Sequence, residues 1–146
     1  MSAESSAGGT GKEVSELLDL RIPADFEAIG RVTDTISGIL ERLEVQEEKR
    51  HEISLAVQEA LANAVVHGCK NDPSKEIRCR LRRDSQGAIV VTVTDPGPGF
   101  SPATLADPKQ PERLYRSNGR GVYLIRQLMD EVQFENGGNQ ITMRKY

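Results

Sequence analysis

The sequence predicts an α+β two-layer sandwich, a mixed β-sheet with helices packed on one face. Two observations lead there. Segments of period-two alternation and segments of three-and-four apolar spacing follow one another in the order β-α-α-β-β-loop-α-β-β. The alternating segments also carry charge on one side only, which describes a sheet with one wet face.

The elements justify themselves in order. "ELLDLRIPA" (Glu16 to Ala24) alternates and closes at Pro23, a first strand. Asp25 then caps a helix through Phe26, Ile29, Val32, Ile36, Ile39, Leu40 and Leu43. A second helix runs from about Gln46 to His67, burying Ile53, Val57, Ala60, Leu61 and Ala64, and Gly68 and "NDP" end it. In "EIRCRLRRD" Ile77, Cys79 and Leu81 alternate with Arg78, Arg80 and Arg82, and the turn "DSQG" leads into a better buried strand, "AIVVTVTD". Pro96 to Gly119 is rich in Pro and Gly and too long for an ordinary connection, so it reads as a functional loop. A third helix spans Arg120 to about Val132, and short strands near "EVQFEN" and "QITMRK" flank a turn at Gly137-Gly138.

At 146 residues the chain is one domain's worth, with residues 1–15 expected as a disordered tail and 16–146 as the folded domain. A net charge of −3 leaves no electrostatic footprint for nucleic acid or an acidic membrane. No apolar run approaches the roughly 18 residues of a membrane span, and the N-terminus lacks a signal-peptide core, so a cytoplasmic protein is expected. Cys69 and Cys79 have no metal-ligand spacing and are expected as reduced thiols. "GGTGKE" is not a P-loop, because Glu13 stands where Ser or Thr should bind magnesium.

Three motifs carry chemistry. In "EALANAVVHG" Glu59, Asn63 and His67 are spaced by four and line one helix stripe. There an amide oxygen can hold a hydrated magnesium ion beside nucleotide phosphates, leaving the carboxylate free as a general base. A solvated helix face is the alternative. In "TDPGPGF" Asp95 ends a buried strand, followed by Gly97 and Gly99. A carboxylate there can accept from an exocyclic amine such as that of adenine, while the glycines let backbone approach a flat ring. A Pro-Gly turn is the alternative. In "SNGRGVYLI" Gly119 and Gly121 flank Arg120 at a helix start, where free N–H groups and a cation suit phosphate. The alternative is a flexible hinge.

In this order the three motifs resemble those of the Bergerat-fold (GHKL) ATPases, the superfamily of gyrase-type ATPases and histidine-kinase catalytic domains. The resemblance spans Leu20 to the C-terminus. "LAVQEALANAVVHG", a compact lid and "GRGVYLIRQLMDEV" are most similar to the bacterial anti-sigma-factor serine/threonine kinases. That resemblance implies ATP and Mg2+ as cofactors, with Glu59 as catalytic base and Asn63 as the metal ligand. It implies Asp95 with Gly97 and Gly99 at adenine, and Gly119, Arg120 and Gly121 facing phosphate at the hinge of a lid, Phe100 to Asn118. It further implies a homodimer that binds a sigma factor and phosphorylates an anti-anti-sigma partner. Two other functions are weighed: a non-enzymatic module using ATP to control partner affinity, and a detached histidine-kinase catalytic domain. The family often closes with a Gly-Thr step at the adenine site. Here Gly138 is followed by Asn139 and Gln140, with Thr142 nearby.

Overall fold

The computed structural model describes residues 14–97, 121–135 and 139–146. Strand β1 (Val14–Pro23) leads to helices α1 (Phe26–Arg42) and α2 (Glu47–Asn63), then β2 (Glu76–Asp84), β3 (Ile89–Thr94), α3 (Gly121–Leu128), β4 (Glu131–Glu135) and β5 (Gln140–Lys145). The strands form one five-stranded sheet in the order β1-β2-β3-β5-β4. The α+β sandwich is as the sequence predicts, with one correction: every described pairing is antiparallel, where a mixed sheet was expected. The reason lies in the last hairpin. By these pairings β3 and β4 run in the same direction, but β5 inserts between them, so the parallel pair never become neighbours.

Local chemistry accounts for the helix starts and stops. Asp25 sits in extended backbone and its Oδ1 accepts the Ala28 N–H at 2.8 Å, satisfying one free donor of the first turn. Helix α1 buries Ala28, Ile29, Val32, Ile36 and Leu40, the three-and-four stripe of its sequence. Helix α2 contacts both α1 and α3. It buries Ile53, Ala56, Val57, Ala60 and Leu61 over Ile77, Cys79 and Leu81 of β2, Val91 and Val93 of β3, and Ile141 and Met143 of β5. Both cysteines are free and buried in this layer, and burial pushes the Cys79 thiol up to about 12. Helix α3 ends at Leu128, not near Val132. The Asp130 N–H donates to the Arg144 carbonyl at 2.9 Å, so the chain has already turned into the sheet.

The opposite sheet face is open and polar. Arg78 forms a bidentate pair with Asp19 (2.9 and 2.7 Å), and Arg80 reaches Glu16 at 2.7 Å. Arg82 donates to Thr92 Oγ1 at 2.7 Å instead. The arginine stripe is therefore a wet face, as its alternation predicts, but one largely neutralised by β1.

Candidate functional site

Helix α2 does not stop at Asn63. Its last turn widens into a π-helical segment, Ala64–Gly68, closed by the Cys69 N–H donating to the Ala64 carbonyl at 2.8 Å. Such widened turns occur mostly as single-turn bulges and frequently at functional sites. Lys70 and Asn71 then take φ of +53° and +60°, turning the chain sharply away.

The widened turn delivers Gly68 against the end of β3. A Cβ on Gly68 would lie 2.5 Å from both carboxylate oxygens of Asp95, so only glycine lets that carboxylate sit there. Gly97 is held the same way: its Cβ would meet the Gly68 carbonyl at 2.6 Å and Asp95 Oδ1 at 2.9 Å. The Gly97 N–H donates to Asp95 Oδ1 at 2.8 Å. Across the sheet the Asp95 N–H donates to the Asn139 carbonyl at 3.0 Å. Helix end, strand end and the first glycine of D-x-G-x-G thus form one locked corner. Burial pushes the Asp95 carboxyl above its ordinary range, and the Gly97 N–H partly opposes that shift.

One and two turns back along the same helix stand Asn63 and Glu59. Asn63 is buried (6% exposed), and its Nδ2 has no hydrogen-bond partner among the described residues. A buried amide without partners is unusual and calls for an explanation. Glu59 is half-buried, and its carboxylate makes no hydrogen bond or ion pair among the described residues. His67 is half-buried in the widened turn. Desolvation lowers its pKa, with a further push from Lys70. Its ring has no hydrogen-bond partner among the described residues, whereas a backbone-satisfied helix-end histidine was expected.

The structure therefore brings Asp95 and Gly97 together at the end of the helix that carries Glu59 and Asn63. Gly121 opens α3 and is buried. Gly99, Gly119, Arg120 and the lid Phe100 to Asn118 lie outside the described residues. Thr142 is not part of the corner. Its hydroxyl donates to Glu135 at 2.8 Å on the open sheet face. Two residues that sequence reading did not assign to the site belong to this corner, Gly68 and Asn139. In sequence Gly68 reads only as a helix terminator. Asn139 departs from the family's closing Gly-Thr step, and its alternation with Ile141 and Met143, both buried, is the signal that could place it on the helix side.

A helix with E-x-x-x-N, locked at its end to a strand ending in Asp and Gly beneath an antiparallel sheet, defines a nucleotide-binding sandwich. Residues 22–145 match the family model of the histidine kinase-like ATPase domain, and the chain belongs to that family. Membership implies ATP binding. The chain is 30% identical over 138 residues to the serine-protein kinase RsbW of Oceanobacillus iheyensis, covering 90% of this chain and 87% of that protein. It is also 30% identical over 145 residues to the serine-protein kinase RsbW of Bacillus subtilis, covering 92% and 88%. Two solved structures share the fold. The RsbU and RsbW domains of Rv1364c from Mycobacterium tuberculosis superpose with a TM-score of 0.60 at 19% identity, covering 88% of this chain and 32% of that one. The histidine kinase domain of the blue-light-activated kinase from Erythrobacter litoralis gives 0.55 at 25% identity, covering 85% and 61%. Among the described residues no helix is long and apolar enough to cross a membrane.

Proposed function

We propose that the chain is an ATP-dependent protein serine/threonine kinase that also binds a sigma factor, its substrate being an anti-anti-sigma partner. The observation that carries this reading is the pair of uncommitted polar side chains on α2. Glu59 makes no ion pair among the described residues, and one turn on stands Asn63 with a buried, unpartnered amide. A helix face with no ligand to serve has little reason to bury an amide in that state.

The roles follow from the chemistry of each group. Asp95, ionised, accepts a hydrogen bond from the exocyclic amine of adenine, and Gly97 leaves room for the ring. Asn63 offers an amide oxygen of the hard type that magnesium prefers, while its buried, unpartnered Nδ2 is a donor suited to a phosphate oxygen. Magnesium, when bound, neutralises charge on the triphosphate. Glu59 orients a partner's Ser or Thr hydroxyl and takes up its proton as the oxygen attacks the γ-phosphorus, while the bond to the bridging oxygen breaks and ADP leaves. Gly119, Arg120 and Gly121 are assigned to phosphate, with Gly99 beside the ring. The relatives named as serine-protein kinases support a phosphotransfer role. A cytoplasmic homodimer is the working form this reading takes.

The test is transfer of labelled phosphate from ATP to a small anti-sigma-antagonist protein encoded beside this chain. Transfer should require magnesium, and Asn63→Ala should weaken magnesium-dependent nucleotide binding and transfer together. Tight ATP binding with no transfer to any such partner would favour the non-enzymatic module.

A further inference from the structure

Asn139 stands directly across the sheet from Asp95, because the last registered pair is Thr94 with Gln140 and the Asp95 N–H donates to the Asn139 carbonyl at 3.0 Å. It lies two residues before buried Ile141, so both side chains rise on the helix-facing side. Its Nδ2 donates to the Gly97 carbonyl at 3.4 Å. A carbonyl can only accept, so that contact fixes which end of the amide is nitrogen. The other end, Oδ1, is buried and has no hydrogen-bond partner among the described residues. The locked corner therefore carries two acceptors side by side: the Asp95 carboxylate, half committed to Gly97, and an amide oxygen with nothing to accept from.

We infer that Asn139 is a nucleotide-specificity residue, its Oδ1 accepting the second N–H of the adenine 6-amino group whose first N–H goes to Asp95. The inference rests on the adenine placement proposed above and extends it to a residue outside the three motifs. Geometry supports the pairing. Side chains of directly opposed residues stand about 4.5–5.5 Å apart at Cβ. Two acceptors that share one amino group through bonds of about 2.9 Å, diverging by 120°, lie about 5 Å apart. A pair of acceptors with no donor rejects a purine that has a carbonyl at that position, because two oxygens would then face each other unpaired. The Nδ2 contact gives Asn139 a second task, holding the Gly97 peptide in the orientation that completes the corner.

The experiment compares ATP with purine riboside 5′-triphosphate, which is ATP without its 6-amino group, by calorimetry on wild type, Asn139→Ala, Asn139→Ser and Asp95→Asn. Each protein is its own reference, since the readout is the ratio of its two affinities, so a general loss of stability cancels. Wild type should lose affinity when the amino group is removed. In Asn139→Ala that loss should shrink about fivefold, the worth of one neutral hydrogen bond. The serine variant serves the same comparison if alanine does not fold. An unchanged ratio in the Asn139 variants, with a reduced ratio in Asp95→Asn, would overturn the role of Asn139 and leave the adenine site standing. That is the result if Oδ1 serves an ordered water instead. Failure of wild type to bind ATP, or unchanged ratios in all variants, would overturn the adenine placement itself.

Discussion

At the scale of single residues, the corner around Asp95 concentrates the testable chemistry. Asp95→Asn keeps the shape but can turn an amide donor toward the base. ATP affinity should therefore fall by about 1.5–3 kcal/mol, measured by calorimetry. The pH dependence has a definite sign. Burial raises the carboxyl above its unfolded value of 3.8, so the native state holds this proton more tightly than the unfolded chain. Asp95 thus lowers stability as pH rises from 3.8 through its raised native value, and Asp95→Asn should remove that decline from a denaturation series. ATP affinity should move oppositely, weakening as acid protonates the acceptor. The residue types of this chemistry were legible in sequence: an acid after an apolar strand, an amide four residues after an acid. The partners that decide their state were not. Gly68 and Asn139 reach Asp95 across 27 and 44 residues of chain, and no local pattern encodes such a meeting.

At the scale of elements, helix periodicity and the Asp25 cap were readable because each depends on residues within one turn. The widened turn at Ala64–Gly68 was not, since its cause is tertiary: the chain must deliver a bare glycine to Asp95. Strand direction was likewise hidden, because it turns on where β5 inserts. Two glycine substitutions separate these cases. Gly68→Ala puts a methyl into the Asp95 carboxylate, and should cost about 1–3 kcal/mol in urea denaturation and weaken ATP binding. Gly30→Ala lies on the exposed side of α1 with nothing within 4 Å of its Cβ. It should stabilise by about 0.4–1 kcal/mol and leave ATP binding unchanged.

At the scale of the whole molecule, the sandwich separates two surfaces. The helix layer with its locked corner is the surface proposed to carry the nucleotide chemistry. The open sheet face is a polar network in which Arg82, Thr92, Thr142 and Glu135 are linked across four strands. Exposed ion pairs such as Arg78–Asp19 are screened by solvent, so this face contributes little to folding compared with the core. Nucleotide binding, phosphoryl transfer and sigma-factor binding should accordingly respond separately to mutation. The measurement that bears most directly on the account is phosphate transfer by Glu59→Ala, with ATP and sigma-factor affinities determined on the same protein. Transfer should fall by roughly 10²–10⁴-fold while both affinities stay near wild type. Transfer at the wild-type rate would contradict Glu59 as the base.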